Sequence, residues 1–448
     1  MMKMGGPIPI SAPPRFPANP PAQSDVVVVG GGIAGVMTAL YLAEAGRRVV
    51  LCEKGRIAAE QSSRNWGWVR QQGRDPAELP IMIEAMRLWQ DLDQRLGDAV
   101  GLRQTGTTYL AASPKDLENF VSWLPHARHH GLDTRLIERA ELDAILPNAA
   151  GWIGALHTAS DARAEPWTAV PAIAALAADR GVTICEGCAV RGIETTAGRV
   201  SAAVTEKGRV EAPQVLLAAG AWSSLFAGNA GMRFPQLSVR ATVAATAGMP
   251  EFHSGNAADP GFAFRRRLDG GFTLAPGIGH DFWIGPSAFR NLAQFLPQVR
   301  RDLRHTRLSP ASPRDYPDAW GTPRRWRLDR PSPFERMRVL DPQPNLRRVE
   351  ALAQAFAAAF PVLGKPAIDR VWAGMIDVTP DQVPILDESP VSGFYVATGL
   401  SGHGFGIGPG VGRVMADLML GRAPGHDLSR FRFARFSDGS RIELGPSI

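Results

Sequence analysis

The order of hydrophobic and polar positions after residue 24 predicts a strand, a turn and a helix in succession. The run Asp25–Gly30 (DVVVVG) is a short β-branched block, which is typical of a strand buried on both faces. After a glycine-rich turn, Val36, Leu40 and Ala43 recur at helical spacing. The next apolar run, residues 47–53 (RRVVLCE), is predicted as a second buried strand. Together these elements predict a βαβ unit with a parallel sheet.

The α/β pattern is left and re-entered along the chain. It returns in residues 168–220 and again in 394–421, whereas 101–156 and 234–369 are less regular and carry a hairpin signal at Asp269-Gly270-Gly271. We therefore predict an α/β fold with a discontinuous, Rossmann-like dinucleotide-binding domain and an α+β substrate domain whose sheet is mainly antiparallel. The predicted boundaries are a disordered proline-rich tail (1–24), the dinucleotide-binding domain (25–100, 157–233 and 370–436) and the substrate domain (101–156 and 234–369).

Composition narrows the class of protein. The 448 residues are 45% hydrophobic and 21% charged, as in globular proteins, and no run of about eighteen uncharged apolar residues predicts a membrane span. The N-terminus lacks a secretory pattern, so we expect a cytoplasmic location. The net charge is +6, but the basic residues are mixed with carboxylates along the chain, so we expect no nucleic-acid partner. Cys185 and Cys188 form a CxxC within a predicted buried strand and turn, and we interpret them as structural. No metal site is expected.

The first chemical motif is the turn between strand and helix, Gly30-x-Gly32-x-x-Gly35. Gly30 permits the tight turn, Gly32 lets the backbone approach a pyrophosphate, and Gly35 lets the helix pack on the strand. The first helical residues, Ile33 and Ala34, then present N–H groups to the phosphates. Glu53 ends the second strand where a carboxylate binds the ribose hydroxyls, with Lys54 beside it.

Three further stretches resemble the D-amino acid oxidase superfamily of FAD-dependent oxidoreductases, nearest to its glycine oxidase, sarcosine oxidase and D-amino acid dehydrogenase branches. The resemblance runs from about Asp25 to about Gly421. The first stretch, residues 62–67 (SSRNWG), is similar to the loop that passes the pyrophosphate and reaches the flavin. It implies cofactor contacts from Ser62, Ser63, Asn65 and Gly67, and a substrate-side position for Arg64 and Trp66, with Trp68 as a second candidate.

The second stretch, residues 215–222 (VLLAAGAW), is similar to the family's strand beside the cofactor and implies contacts from Ala219, Gly220 and Trp222. Val190 matches the position whose backbone meets the adenine. The third combines Thr379-Pro380-Asp381 with the turn Gly402-His403-Gly404-Phe405, which implies backbone N–H groups at a helix start near the flavin, and Gly374 lies just upstream. His403 is either a catalytic base or a structural residue.

The resemblance implies that a small amine or amino acid, either a D-amino acid or an N-substituted one, is oxidised at its C–N bond by hydride transfer to flavin N5. An amino acid carboxylate needs an anchor, for which arginine is suited. On the predicted hairpin, alternation places Arg265 and Arg267 on one face and Arg266 on the other, which leaves open the face that meets the flavin; Arg64 and Arg265 are our first candidates. The complete set of candidate arginines is Arg64, Arg70, Arg265, Arg266, Arg267, Arg324 and Arg325.

Two departures from the family carry predictions. Residues 373–377 (AGMID) hold no cysteine at the position where sarcosine oxidases attach the flavin, so we predict non-covalent FAD. No lysine lies between Lys207 and Lys365, which leaves the electron acceptor open between oxygen and a quinone or partner protein. Two alternatives also stay open: a flavin monooxygenase that uses NAD(P)H, and an FAD-binding electron-transfer subunit of a heteromeric dehydrogenase.

Overall fold

A six-stranded sheet, here called the nucleotide sheet, forms one layer of the molecule. The structure is a computed structural model that describes residues 2–446. Five strands run parallel, and the sixth is an antiparallel edge strand. In spatial order the strands are Thr183–Glu186, Val49–Glu53, Val26–Val29, Gln214–Leu217, Phe394–Thr398 and Ile385–Glu388. The three chain segments that the sequence predicts therefore contribute to one sheet.

An eleven-stranded sheet, here called the covering sheet, forms the second layer and is mainly antiparallel. Nine strands follow one path, while His280–Trp283 pairs with the third strand of that path and with Thr306–Ser309. In spatial order the nine are Lys3–Met4, Ile368–Val378, Leu237–Thr246, Phe272–Ala275, Ala263–Arg266, Asn256–Ala258, Thr107–Ala111, Gly154–Thr158 and Arg135–Glu138. The predicted fold class, a Rossmann-like domain with an antiparallel substrate domain, is confirmed.

Smaller elements complete the fold. Two three-stranded sheets consist of Val190–Thr196, Arg199–Thr205 and Gly208–Glu211, and of Trp68–Val69, Ala162–Arg163 and Arg103–Gln104. The α-helices are Ile33–Glu44, Gln61–Arg64, Leu79–Leu96, Pro114–His129, Arg139–Ile145, Pro166–Asp179, Ser223–Asn229, Pro286–Arg290, Leu292–Asp302, Pro333–Arg336, Leu346–Ala359 and Gly404–Met419. Short 3₁₀ turns lie at Gly97–Ala99, Gly220–Trp222, Leu303–His305, Ser429–Phe431 and Phe433–Phe436. Within residues 2–446 no helix has the length and apolar character needed to cross a membrane.

Two helices that start at the cofactor side pack closely because glycine lines their contact. A Cβ atom added at Gly412 would lie 2.4 Å from Met37 Cβ, and one added at Gly408 would lie 2.4 Å from Ile33 Cγ1. The helices Ile33–Glu44 and Gly404–Met419 can therefore approach each other with their first turns side by side. This packing brings the two glycine turns of the sequence to one cleft.

The long strand Ile368–Val378 spans the region between the two layers. It pairs along its length with Leu237–Thr246 in the covering sheet, and its last residues border the nucleotide-binding cleft. The predicted boundary at residue 370 thus falls inside a continuous strand. The boundary at 157 likewise falls inside Gly154–Thr158. Sequence composition does not change within these strands, so it could not show where the chain passes from one predicted domain to the other.

The segment predicted as a disordered tail is instead packed on both sheets. Lys3–Met4 adds a parallel strand to the edge of Ile368–Val378, and the backbone N–H groups of Arg15 and Phe16 donate to the carboxylate of Glu186. Proline excludes helix, but it leaves an extended backbone that a free sheet edge and a buried carboxylate can hold. The prediction of disorder for residues 1–24 is therefore wrong for the part that the structure describes.

The three cysteines lie together in the core. Cys52, Cys185 and Cys188 are buried and carry free thiols, and Cys52 is the register partner of Cys185 on adjacent strands. Hydrogen bonds from Cys185 and Cys188, together with burial, raise the pKa of the Cys52 thiol well above its ordinary value. Their surroundings are those of structural cysteines. Among residues 2–446, no cluster of His, Cys, Asp and Glu side chains has the arrangement of a metal site.

Candidate functional site

A deep cleft follows the carboxyl ends of the nucleotide sheet, where open α/β sheets bind ligands. It contains about 1150 Å³ of space open to solvent. Fifteen of the residues predicted to contact a cofactor line this cleft: Gly30, Gly32, Ile33, Ala34, Glu53, Lys54, Ser62, Asn65, Val190, Ala219, Gly220, Trp222, Gly402, Gly404 and Phe405. Residues from every predicted motif therefore meet in one place.

The glycine turn at the start of the cleft has the geometry that the motif requires. Gly30 has a φ of +111°, and a Cβ atom added there would lie 2.5 Å from the carbonyl oxygen of Ala218. A Cβ atom added at Gly35 would lie 2.1 Å from the carbonyl oxygen of Gly30. Gly32 is the N-cap of the helix that begins at Ile33. A Cβ atom added at Gly32 would lie 3.0 Å from Ser62 Oγ. The N–H of Ile33 donates to Ser62 Oγ at 2.9 Å, so Ser62 lies at the helix N-terminus that would receive a phosphate.

Charged residues at the second strand complete this end of the cleft. Glu53 accepts hydrogen bonds from the backbone N–H groups of Gly31 (2.8 Å) and Gly55 (2.7 Å), and burial raises the pKa of its carboxyl. Lys54 Nζ lies 2.6 Å from Glu60 Oε1 and 4.4 Å from the centroid of the Trp222 ring. The carboxylate position suits a ribose, as predicted.

The opposite end of the cleft has a buried acceptor and a second helix start. Gln61 Oε1 is buried without a hydrogen-bond partner among residues 2–446, and a Cβ atom added at Gly374 would lie 2.0 Å from it. Helix Gly404–Met419 begins here, and Gly402, at φ +85°, turns its backbone into the helix. A ligand with hydroxyl or N–H donors would satisfy Gln61, while the helix dipole favours negative charge at its start. These features fit the ribityl and ring portions of a flavin dinucleotide.

Four predicted cofactor residues support the cleft without lining it. Gly35 and Gly374 permit the close contacts described above, and Ser63 is fully buried. Gly67, at φ +80°, makes room for the guanidinium of Arg265, since a Cβ atom there would overlap that group. Their conformations shape the site, but their atoms face the protein interior.

A second cavity, here called the substrate cavity, adjoins the cleft. It contains about 1280 Å³ of space open to solvent. Sequence neighbours divide between the two spaces: Met375 borders the cleft and Ile376 the substrate cavity, and Gly402 and His403 divide in the same way. Trp66 lines the substrate cavity, as predicted, and meets Trp68 edge to face at 5.4 Å. Trp68 itself is buried against aromatic residues of the core.

Arg70 is a cation of the substrate cavity without an acidic partner among the described residues. Its guanidinium donates to the carbonyl oxygen of Gln72 and lies 5.5 Å from the centroid of the Tyr109 ring. The carboxylates of this cavity are each paired with an arginine: Asp75 with Arg430, Asp302 with Arg301, and Asp381 with Arg435. Arg70 therefore offers a guanidinium that is not engaged in an ion pair with the described carboxylates.

His403 lines the same cavity, and a buried carboxylate orients it. His403 Nδ1 lies 3.2 Å from Glu78 Oε2, and Arg74 lies 3.9 Å from that carboxylate. Burial lowers the pKa of His403. Burial raises the pKa of Glu78, but the neighbouring His403, Arg74 and Arg70 outweigh burial and hold it below its ordinary value. The pair is consequently a neutral imidazole whose Nδ1–H donates to an ionised carboxylate, which leaves Nε2 as an acceptor.

Two arginines that were predicted to contact substrate, Arg64 and Arg265, do not line the substrate cavity. Arg265 is fully buried and makes a bidentate ion pair with Glu165 (2.8 and 3.0 Å), while its Nε donates to the carbonyl oxygen of Trp66. Arg64 is also buried and donates to Asp341 and to the backbone carbonyl of Ala373. Both guanidinium groups hold neighbouring segments together, so the expectation that they contact substrate is corrected.

Sequence reasoning missed several lining residues. Glu60 and Gln61 lie directly before the Ser62 loop, and Asp377 accepts a hydrogen bond from Gly399 N at 2.6 Å. The signal available for Glu60 and Gln61 was their position beside a recognised loop. Asp377 follows the alternation of its strand, in which Met375 and Asp377 face the cleft. That alternation was visible in the sequence, but the face that meets the cofactor was not.

The fold and the two adjoining cavities define a flavin-dependent oxidoreductase. The family model "DAO: FAD dependent oxidoreductase" matches residues 25–418, and the chain belongs to this family. The sarcosine oxidase subunit beta of Rhizobium meliloti (strain 1021) is 28% identical over 96% of this chain and 93% of its own length.

Two solved structures are also similar. The L-amino acid deaminase from Proteus myxofaciens, in complex with anthranilate, shares 31% identity with a TM-score of 0.90, over 98% of this chain and all of that chain (100%). The L-amino acid deaminase from Proteus vulgaris shares 32% identity with a TM-score of 0.88, over 94% of this chain and 98% of that chain. FAD as the cofactor and oxidation of an amine or amino acid at its C–N bond are thereby confirmed.

Proposed function

We propose that this enzyme oxidises an L-α-amino acid to an imine, which water converts to a 2-oxo acid and ammonia. Arg70 carries the proposal, since it is a cation without an acidic partner among the described residues and it lies in the cavity beside the cofactor cleft. The two solved structures described above, at 31% and 32% identity, are L-amino acid deaminases. The proposal therefore favours an L-amino acid over the D- and N-substituted amino acids that the resemblance first implied.

Arg70 is proposed to anchor the substrate carboxylate. A guanidinium binds a carboxylate in bidentate fashion, and the interaction is stronger in a cavity that excludes water. The neighbouring Tyr109 ring holds the guanidinium plane, and the carbonyl oxygen of Gln72 occupies one donor. The remaining N–H groups are free to bind substrate.

The apolar wall of the substrate cavity favours a large side chain. Trp66 and Ile376 lie beside the cofactor cleft, and Ile278 lies in the loop on the covering side. These side chains would bury an aromatic or branched aliphatic group. The similar deaminase from Proteus myxofaciens is in complex with anthranilate, an aromatic amino carboxylate.

His403 is proposed to take the proton that an ammonium substrate must lose. His403 lines the substrate cavity while its Nδ1 contacts Glu78, which would stabilise the imidazolium that forms. Asn65, Gly402 and Gly404 would hold FAD against this cavity. FAD, when bound, supplies the acceptor for the hydride of the α carbon.

Anaerobic titration tests the proposal. The purified yellow protein is mixed, without air, with L-phenylalanine, L-leucine, their D-enantiomers and sarcosine. We expect the L-amino acids to bleach the flavin absorbance and to release a 2-oxo acid. Bleaching only by D-amino acids or sarcosine would overturn the stereochemical part, and bleaching by NADPH alone would support a monooxygenase instead.

A second candidate is a catalytic subunit of a heteromeric enzyme. The similarity to a sarcosine oxidase subunit beta favours it. In that case the native protein would co-purify with a partner and would be reduced by sarcosine.

Readmission of air to the bleached protein distinguishes the possible electron acceptors. A fast return of colour indicates oxygen, and a slow one indicates a quinone or a partner protein. A cytoplasmic location is kept as part of the proposal.

A further inference from the structure

The segment 429–446, here called the arginine segment, joins the edge of the nucleotide sheet to the substrate cavity. The backbone N–H of Phe433 donates to Asp387 on the antiparallel edge strand at 2.7 Å. Farther along the segment, Gly445 and Pro446 line the substrate cavity. The arginine segment is therefore held at the nucleotide sheet and reaches the cavity in which we place the substrate.

One arginine of this segment pairs with a carboxylate of the substrate cavity. Arg430 Nη1 lies 3.1 Å from both carboxylate oxygens of Asp75, and Arg430 Nη2 donates to the backbone carbonyl of Glu443 at 2.9 Å. Asp75 lines the cavity and is 7% exposed, whereas Arg430 does not line it. Burial raises the pKa of the Asp75 carboxyl, and the charge of Arg430 opposes that rise. Arg430 thus compensates a buried carboxylate from outside the cavity.

A second arginine of the segment does the same for Asp381. Arg435 Nε and Nη2 donate to the two carboxylate oxygens of Asp381 at 2.8 and 3.0 Å, and both side chains are buried. Arg435 Nη2 also donates to the backbone carbonyl of Val383 at 2.6 Å, which fixes the turn that carries Asp381. The arginine segment therefore supplies the partners of two cavity carboxylates.

These two partners reverse the sign of the charge around the cavity. Two arginines and three carboxylates line it: Arg70, Arg301, Asp75, Asp302 and Asp381. With histidine neutral, this lining has a formal excess of one negative charge. Arg430 and Arg435 add two positive charges behind the lining and leave an excess of one positive charge. Because all three carboxylates are then paired, Arg70 is the cation that stays available to a ligand.

We propose that Arg430 and Arg435 make the enzyme select amino acids over simple amines, because they neutralise the acids of the substrate cavity. An unpaired carboxylate at Asp75 or Asp381 would repel the carboxylate of an amino acid and attract the ammonium group of an amine. With both acids paired, a substrate carboxylate meets the guanidinium of Arg70 without competing negative charge. Neither Arg430 nor Arg435 lines the cavity, so both are positioning residues that act through these acids. The inference rests on the amino acid substrate proposed above.

Ligand binding to the R430Q holoenzyme tests the proposal without turnover. Arg430 is chosen because it is 30% exposed, whereas removal of the buried Arg435 would also destabilise the fold. Changes in flavin absorbance, measured at about pH 8 where aspartate is ionised, give the Kd of two phenyl compounds. These are 3-phenylpropanoate, a carboxylate without an amine, and 2-phenylethylamine, an amine without a carboxylate. In R430Q we expect the Kd of the carboxylate to rise roughly 10-fold, the effect of one neighbouring charge, and the Kd of the amine to fall.

Two further variants separate the effect of charge from a loss of structure. R430Q/D75N removes both charges of the pair and should restore the Kd values of the unchanged enzyme. If it does not, R430Q acts by loosening the segment and the proposal is wrong. Arg432 pairs with Asp438 at 2.9 Å within the same segment and lines neither the cleft nor the substrate cavity, so R432Q should leave both Kd values unchanged.

The two ligands also define the results that would overturn the proposal. Equal changes in both Kd values of R430Q, or no change in either, would contradict it. So would an unchanged enzyme that does not bind 3-phenylpropanoate more tightly than 2-phenylethylamine. The proposed L-amino acid reaction fails separately, if L-phenylalanine does not bleach the flavin of the unchanged enzyme, and the two Kd values still report the effect of the charge.

Discussion

His403 Nδ1 lies 3.2 Å from Glu78 Oε2, although 325 positions separate the two residues in the chain. The contact places a neutral imidazole at the start of helix Gly404–Met419, beside the substrate cavity. Because burial lowers the pKa of His403, the residue is an acceptor at neutral pH and loses that capacity as the pH falls through its lowered pKa. We therefore expect kcat/KM to decrease on the acidic side.

Replacing Glu78 should shift the pH at which kcat/KM decreases on the acidic side, here called the acidic limb of the pH profile. The Glu78 charge favours the imidazolium, so E78Q lowers the pKa of His403 further and shifts the limb to lower pH. A pH–rate profile of kcat/KM measures the shift. The surface pair Glu84 and His426, 2.6 Å apart, offers a matched control, and E84Q should leave the profile unchanged. An H403N variant that keeps the acidic limb would show that another group titrates.

If Arg70 binds the substrate carboxylate, replacing it should reduce activity only toward substrates that carry this carboxylate. R70Q should lower kcat/KM for an amino acid roughly 10- to 150-fold, the range for a hydrogen bond to a charged group. R266Q is the control, because Arg266 lines neither cavity and stacks on Phe272. Steady-state kinetics with the amino acid and with the corresponding amine, which lacks the carboxylate, separate anchoring from general damage. An equal loss for both compounds would contradict the anchor.

The Arg265–Glu165 pair predicts a stability effect. Both side chains are buried, so R265M removes the bidentate partner of the Glu165 carboxylate, leaves Arg163 at 4.0 Å as its remaining cation, and should lower the free energy of unfolding by about 3 kcal/mol. The double variant R265M/E165M removes both charges and should recover most of that loss. Urea unfolding followed by tryptophan fluorescence measures each value. If R265M unfolds normally but no longer binds substrate, the carboxylate-anchor role returns to Arg265.

Gly35 predicts a specific loss of cofactor. A Cβ atom at this position would lie 2.1 Å from the carbonyl oxygen of Gly30, so G35A must displace the turn that receives the pyrophosphate. We expect protein depleted in FAD, measured as the ratio of absorbance at about 450 nm to that at about 280 nm. Gly228 has no neighbour within 4 Å of an added Cβ atom, and G228A should retain FAD. Full FAD content in G35A would mean that the turn adapts.

The sequence also predicts that FAD is not attached covalently. Residues 373–377 hold no cysteine, and Cys52, Cys185 and Cys188 lie in the core of the nucleotide sheet. Acid precipitation should therefore release the flavin into the supernatant, where its fluorescence is measured. A yellow pellet would indicate a covalent bond to a residue other than cysteine at that position.

Local sequence patterns predicted those features that depend on neighbouring residues. The turn Gly30–Gly35 and the hairpin at Gly270, with φ +85°, both form where their motifs place them. Alternation placed Arg265 and Arg267 on one face of the hairpin without showing which face meets the cavity, and the partner of Arg265, Glu165, comes from a segment 100 positions away. The packing of Arg15 and Phe16 on Glu186 depends on a buried carboxylate that only the folded sheet provides. Distant partners of this kind decide which arginine stays free, and a single sequence does not reveal them.

The shared strand Ile368–Val378 also determines how reactants can enter. It is hydrogen-bonded along the covering sheet, while its end borders both cavities. Both strands of this ladder belong to the covering sheet, so the ladder moves as one body and keeps the border between the two cavities fixed. The loop 276–280 and residues 445–446 line the substrate cavity without belonging to this ladder. We therefore expect substrate to enter by motion of this loop and not by deformation of the ladder, and solvent viscosity should slow release only weakly.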